Sequence, residues 1–382
     1  AGTLLWSRVV AGAAARDDEP GWMVVDKSNN VWVVGSVVGA AAVGREAVLY
    51  KYSPAGAVLF VKRHNGTRPA GDDRYYGIAL DSAGNAIVTG ETSSTTTGID
   101  ALIQKYSPTG TLLWTRKWTS AGAKRDGADG LLVDKSNNVF VAGTTQTATT
   151  SESTDAVMWK LAGGTGAVSF VKTYTGVNTS DFISTGALDP TGNPVLSVAE
   201  YSPTTFTSKF GLQKRNATTG NLIYGPNRFA APAGYSVSSG GFAADKTGNV
   251  YVLYNLQNFM AGQAYAVLAK YNNNGVKQWE RPFRVTAKHL TGGSIAIDSK
   301  GNPIFLIGER TLATQAHVTR LYKYTPNGAM TWSFQPKRPA PAQEMVFGLT
   351  LQSDTVAILV GTGSPSATSQ LTDIVTFKIS GL

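Results

Sequence analysis

The chain has 382 residues, of which 42% are apolar and only 15% charged, and it carries a net charge of +9. It contains no cysteine, which excludes disulfides, thiolate metal sites and a cysteine nucleophile. No run reaches the roughly 18 consecutive apolar residues of a membrane span, and Lys and Arg form no block of five or six, so the charge points to neither a bilayer nor a nucleic acid as partner.

The first predicted element is a strand over 1–10, containing Thr3-Leu4-Leu5-Trp6. Six similar units follow, at 20–65, 74–119, 127–175, 182–230, 238–285 and 291–336, and a seventh, shorter one at 345–382. Each of the six has a hydrophobic run ending in Asp, a turn, an Asn and a second hydrophobic run. The Asp recurs at Asp26, Asp81, Asp134, Asp189, Asp245 and Asp298, spaced by 53 to 56 residues. A Lys closes a later hydrophobic run in all seven units, at Lys51, Lys105, Lys160, Lys214, Lys270, Lys323 and Lys378. Its expected partners are the acids five residues earlier, such as Asp100, Asp155 and Asp373. An aromatic follows nine or ten residues after the first six: Phe60, Trp114, Phe170, Tyr224, Trp279 and Trp332.

Lys378 has only four residues after it. Counted on through the N-terminus, its aromatic is Trp6. The last unit therefore lacks a final strand, and the strand over 1–10 supplies it. Within a unit the pattern predicts four strands, placed in the second unit at 77–81, 86–90, 101–106 and 111–118. The link Asp81-Ser82-Ala83-Gly84-Asn85 has Asp to bond the turn backbone and Gly to accept positive φ. Four antiparallel strands repeated seven times, with closure through the N-terminus, predict an all-β, seven-bladed β-propeller of one domain.

The string Asp72-Asp73, then Ala79-Leu80-Asp81-Ser82-Ala83-Gly84-Asn85, then Lys105-Tyr106-Ser107-Pro108 and Leu112-Leu113-Trp114 resembles the SBBP-type bacterial β-propeller repeat. The resemblance covers essentially the whole chain. Unit 7 departs from it, with Gln352-Ser353-Asp354-Thr355 at the turn. The resemblance implies a secreted or surface-attached bacterial protein and assigns no activity. The chain is accordingly expected to be extracellular, with its leader removed, and monomeric. The metal-binding set and vicinal cysteines of quinoprotein propellers are not recognisable, and no cofactor is expected.

In a propeller the innermost strand a lines the channel. The long d–a and b–c loops share one face, where function is expected. Eight residues before the turn Asp stand Asp18, Asp73, Asp126 and Asp181, and Glu344 holds that place in unit 7. Units 5 and 6 have Val237 and Leu290 there. The functional reading is a carboxylate arc at the channel mouth, joined by Arg74, Tyr75 and His289. It would bind a glycan or protein ligand, or Ca²⁺ through Asp18, Asp73, Asp126 and Asp181, since Ca²⁺ takes six to eight oxygens. The structural reading is that each acid ties its own loop to the neighbouring blade, with Arg16, Arg74 and Arg125 at hand to neutralise it.

The three histidines, His64, His289 and His317, lie in different units, and no catalytic set is recognisable. Four further acids, Asp17, Glu19, Asp72 and Asp129, stand near the arc. Aromatics Tyr75, Tyr76, Tyr201, Phe206, Tyr235 and Phe259 are expected on the loops. The sequence thus favours a non-enzymatic binding propeller. A polysaccharide hydrolase or lyase with carboxylates at the channel mouth, and a structural module of a cell-surface assembly, are the alternatives.

Overall fold

A computed structural model describes residues 3–10, 12, 18–39, 44–121, 124–146, 154–176, 179–202, 204, 207–229, 231–258, 260–313, 317–336, 344–363 and 373–381. The chain opens with β1 (Thr3–Val10). Blade 1 is β2 (Glu19–Val25), β3 (Val31–Val38), β4 (Arg45–Tyr52) and β5 (Val58–His64). Blade 2 is β6 (Arg74–Leu80), β7 (Ala86–Ser94), β8 (Gly98–Tyr106) and β9 (Leu112–Trp118). Blade 3 is β10 (Gly127–Val133), β11 (Val139–Thr145), β12 (Asp155–Leu161) and β13 (Val168–Tyr174). Blade 4 is β14 (Ser180–Leu188), β15 (Pro194–Ser202), β16 (Thr207–Arg215) and β17 (Leu222–Arg228). Blade 5 is β18 (Ser236–Ala244), β19 (Val250–Asn258), β20 (Gln263–Tyr271) and β21 (Lys277–Phe283). Blade 6 is β22 (Lys288–Ile297), β23 (Pro303–Thr311), β24 (His317–Tyr324) and β25 (Met330–Phe334). Blade 7 is β26 (Glu344–Ser353), β27 (Val356–Gly363) and β28 (Asp373–Ser380).

The sheets are seven, each of four antiparallel strands, and β1 is the outer strand of the last, in the order β1-β28-β27-β26. Trp6 pairs with Lys378, so the chain closes its own ring. The innermost strands touch in sequence, from β2 through β26 and back to β2.

Burial follows position in the blade. The second strands lie between two others and between two neighbouring sheets, so they read as continuous apolar runs. All eight residues of β3 are buried. The outer strands alternate instead, as in β5. Each hydrophobic cluster spans adjacent blades: Trp32 and Leu49 of blade 1 pack with Tyr75, Ile78 and Val88 of blade 2.

The repeated Asp and Asn build the a–b turn. Asp26 accepts from the backbone N–H of Ser28 and Asn30, each at 2.9 Å, and from Asn30 Nδ2. The same set recurs at Asp81, Asp134 and Asp298. The turn requires one left-handed residue, and Asn29 (φ 62°) and Gly84 (φ 80°) supply it.

The repeated Lys joins blades. Its expected partners, the acids five residues earlier, are corrected to the turn aspartates. Lys105 Nζ lies 2.7 Å from Asp81; Lys51, Lys214 and Lys323 meet Asp26, Asp189 and Asp298. Strand c runs toward the turn face, so its Lys lies beside the a–b turn, whereas Asp100 sits at the strand's other end and takes Thr97 and Thr119. The same ammonium group then crosses to the next blade. Lys105 donates to the Gly163 carbonyl at 2.7 Å, and Lys51, Lys160, Lys214, Lys270 and Lys378 donate likewise to Pro108, Ala217, Asn273, Pro326 and Pro54. The indoles of Trp6, Trp114 and Trp279 donate to three of these same carbonyls.

Strands also run further than predicted. In blade 2, β7 continues through Thr92, Ser93 and Ser94, which are buried rather than on a surface loop. Their polar groups are satisfied from the side by Asp73, Asp72 and Thr96, so extending the sheet leaves no hydroxyl stranded.

Candidate functional site at the channel mouth

The four aspartates of the expected arc are loop clamps. All are at most 2% exposed. Asp73 accepts from Gly66 N (2.9 Å) in the d–a loop, and from Ser93 N (3.0 Å) and Thr92 Oγ1 (2.6 Å) on strand b. Asp18 holds Gly12 N and Val38 N in the same way. Asp126 takes Ser120 N and Thr145 Oγ1, and Asp181 takes Gly176 N and Thr179 Oγ1. The backbone N–H groups of Asp73, Asp126 and Asp181 reach back to Arg45, Ile99 and Thr154 in the preceding blade. Burial raises the pKa of Asp18 and Asp181, and the donated N–H groups only partly oppose it.

This geometry corrects the picture of four carboxylates converging on the axis. Each one spends its oxygens on its own loop, because the d–a loop has N–H groups that no sheet satisfies. Among the described residues no three His, Asp or Glu side chains come together to hold a metal ion. The side chain of Glu344, with Asp17, Arg16, Phe206 and Phe259, lies outside the described residues. Tyr75 is also displaced from the mouth. It is a core residue, 1% exposed, bonded to Gln104 and Tyr106.

The side chains that do enter the channel sit on β-bulges. Every innermost strand breaks register in its interior, between Pro20 and Met23, Tyr75 and Gly77, Ala128 and Gly130, Ser184 and Ala187, Ser239 and Phe242, Gly292 and Ile295, and Val346 and Gly348, and β26 breaks it again between Leu351 and Ser353. A bulge re-aims the extra residue. In blades 7, 1, 2 and 3 the extra residues include Phe347, Trp22, Tyr76 and Asp129. In blades 4 to 6 they include Gly186, Gly240, Gly241 and Gly293. All of these but Phe347 and Gly293 line a waist cavity of about 380 Å³ to which all seven blades contribute. One wall is aromatic and acidic, the other is glycine backbone. A Cβ on Gly241 would lie 2.4 Å from the Gly293 carbonyl, and one on Gly21 would lie 2.5 Å from that of Tyr75, so neighbouring bulges touch through bare backbone. The sequence does carry a signal for this. A glycine stands three to five residues before the turn position in every unit, and a glycine inside a strand marks a bulge or a close approach.

Above the bulges an ionic network spans blades 1 to 3. Glu91, 1% exposed, accepts from Arg74 (2.9 Å) of its own blade and Arg125 (2.9 Å) of the next. Arg74 also meets Glu19 (3.0 Å) and Asp72 (2.7 Å), and Glu19 meets Arg45 (3.1 Å). Arg74 and Arg125 thus pair with Glu91 rather than with the clamp acids beside them. Tyr76 has its hydroxyl against Glu91, and burial together with that charge holds the phenol protonated. Asp129 stands open to the water of the channel yet is ringed by the innermost strands. That confinement, with Glu91 nearby, pushes its pKa up to about 7, against a smaller opposing pull from Arg125. The mouth therefore presents one carboxyl that titrates near neutrality, an aromatic wall and a set of guanidinium groups.

His289 opens β22 on the opposite rim. Its Nε2 lies 2.5 Å from the Gly262 carbonyl, which assigns the proton to that nitrogen. His64 is partly buried against Thr92, and His317 starts β24.

No family model matches the chain, and no curated protein matches it. Solved structures do. The chain is similar to the β-propeller domain of the trilobed protease from Pyrococcus furiosus, described with an open velcro topology (9% identity, 95% of this chain, 94% of that one, TM-score 0.53). It is similar to a Hadza microbial sialidase (12% identity, 90% and 74%, TM-score 0.51). It is also similar to an α-L-arabinofuranosidase from Fusarium graminearum (10% identity, 100% and 98%, TM-score 0.51). At these identities the likeness is one of fold, and the chain is a seven-bladed β-propeller closed by its N-terminal strand.

Proposed function

We propose that this propeller is an extracellular, monomeric binding protein that takes a glycan at the channel mouth, on the face of the d–a and b–c loops. The observation that carries the reading is the lopsided bulge ring. Trp22 (38% exposed) and Phe347 (43% exposed) are large apolar side chains left open to water on innermost strands, and Trp22 shares the waist cavity with Gly186, Gly240 and Gly241. Aromatic walls with a few placed polar groups are the usual make-up of a ligand site. Two of the similar propellers are named for acting on sugars, which agrees with the reading but does not carry it, since a fold does not fix a function.

Asp129 favours a second reading, an enzyme on polysaccharide. A carboxyl whose pKa is pushed up to about 7, beside a second carboxylate, Glu91, that is paired with Arg74 and Arg125, is the kind of pair that general acid–base chemistry uses. The test is binding to a panel of immobilised polysaccharides with variants Trp22→Ala, Tyr76→Ala and Asp129→Asn. Both substitutions of the aromatics lower affinity at least about tenfold, or 1.4 kcal/mol, with little change in melting temperature. Retention of full affinity in both would overturn the proposal. Product release that Asp129→Asn abolishes would favour the enzyme.

A further inference from the structure

The waist cavity is lined by one carboxyl that the protein leaves without a partner. In the network above it every other acid is taken: Glu19 by Arg45 and Arg74, Asp72 by Arg74, and Glu91 by Arg74 and Arg125. Asp129 accepts no hydrogen bond and forms no ion pair among the described residues. Arg125, the one cation whose charge acts on it, turns both Nε and Nη2 to Glu91, at 3.2 and 2.9 Å. Four acids thus stand against three guanidinium groups, and the charge left over is that of Asp129.

A confined carboxylate without a counter-charge is costly, and the raised pKa of Asp129 is the response. A cation brought in by a ligand removes that cost. The walls say which kind. Trp22 and Tyr76 line the same cavity, and cations bind over the faces of such rings, most strongly over Trp. A calcium ion takes six to eight oxygens, which one carboxyl among an indole, a phenol and glycine backbone does not supply. An ammonium group needs only the carboxylate, with which it makes a charge-assisted hydrogen bond, and it tolerates the aromatic wall. Bare backbone at Gly186, Gly240 and Gly241 leaves the other side open. At about 380 Å³ the cavity lies above the roughly 300 Å³ at which ligand pockets begin, enough for a sugar ring that carries the ammonium.

We infer that the waist cavity receives the ammonium group of an amino sugar, with Asp129 as its counter-ion and the Trp22 indole beside it, so that the glycan bound at the channel mouth carries free hexosamine. The inference rests on the glycan reading above and names its class. The net charge of +9 opposes a dense polycation at long range, so the match is local, one ammonium to one carboxylate.

The experiment is calorimetric titration at pH 7 and about 0.15 M salt, where long-range repulsion is screened. The probes are the β-1,4-linked trimer of glucosamine and cellotriose, which has the same backbone with a hydroxyl in place of each amine. The glucosamine trimer binds at least about tenfold more tightly than cellotriose. Asp129→Asn, which keeps the shape and removes the charge, cuts that preference at least about fivefold. Trp22→Ala weakens both trisaccharides, while Lys246→Ala, on the opposite face, leaves both unchanged. Circular dichroism and melting confirm that each variant is folded. Equal binding of the two trisaccharides, or a preference that survives Asp129→Asn, overturns the inference and leaves the glycan reading standing. Absence of binding by both, with panel polysaccharides still held through Trp22, has the same meaning. Asp129-dependent binding of trilysine, tighter than that of the glucosamine trimer, assigns the cavity to a protein ligand and overturns it as well.

Discussion

Lys105→Met isolates what the repeated lysine does. The substitution keeps most of the buried stem and removes the charge. Lys105 Nζ holds Asp81 at 2.7 Å and the Gly163 carbonyl of the next blade at 2.7 Å. The two side chains are 7% and 4% exposed, so little water can replace the ammonium. Removing one partner of a buried pair costs about 3–5 kcal/mol. Asp81 keeps Ala83 N, Asn85 N and Asn85 Nδ2, and Gly163 keeps the Trp114 indole at 3.2 Å, which places the loss near 3 kcal/mol. Lys323 is the built-in comparison. It meets Asp298 at 3.0 Å, but the next c–d turn is where the chain ends meet, and among the described residues no carbonyl there receives it. Lys323→Met is therefore smaller by one charged hydrogen bond, about 1.5 kcal/mol. Equilibrium urea unfolding followed by tryptophan fluorescence measures both. Equal losses, or a Lys105→Met loss below about 1 kcal/mol, would refute the inter-blade role.

Three further outcomes are expected. Asp73→Ala strands two N–H groups and a hydroxyl in the loop clamp and costs at least about 2 kcal/mol, seen as a lower unfolding midpoint and faster proteolysis near Gly66, with glycan affinity of the folded protein retained. Asp129→Asn has a pH-dependent effect. The folded carboxyl titrates at about 7 and the unfolded one near 3.9, so its ionisation destabilises the fold progressively between those values. Melting curves should show the Asn variant more stable than the parent at pH 8, the gain shrinking with added salt and vanishing at pH 4. Trp6→Ala removes a side chain 9% exposed that lies tilted against Tyr52 and donates to the Pro54 carbonyl. It costs about 3–5 kcal/mol, and deletion of 1–10 costs more, both by chemical unfolding.

The ring was legible because its markers report on backbone architecture. Asp26 and its repeats close turns and the lysines join sheets, so they had to recur once per blade, and Trp6 had to complete the count begun at Lys378. The site was harder to read. Asp18, Asp73, Asp126 and Asp181 stand at the entrance to strand a, and spacing alone cannot say whether a carboxylate at that point turns to the axis or into its loop. The unpaired N–H groups of the d–a loop decide it, and they appear only in three dimensions. Trp22 and Phe347 were missed for a second reason, and Asp129 was read only as a further acid near the arc. They sit on bulges, where the period of two on which strand faces are assigned is broken. Tyr75 and Tyr76 show the cost of that break, since the first faces the core and the second the channel.

The most direct test is a crystal structure of the protein with the tightest-binding polysaccharide fragment. A sugar ring packed on Trp22, Tyr76 or Phe347 at the channel mouth is the predicted result. A ligand seated on the a–b turn face or along an outer strand, with the bulge residues untouched, would contradict it.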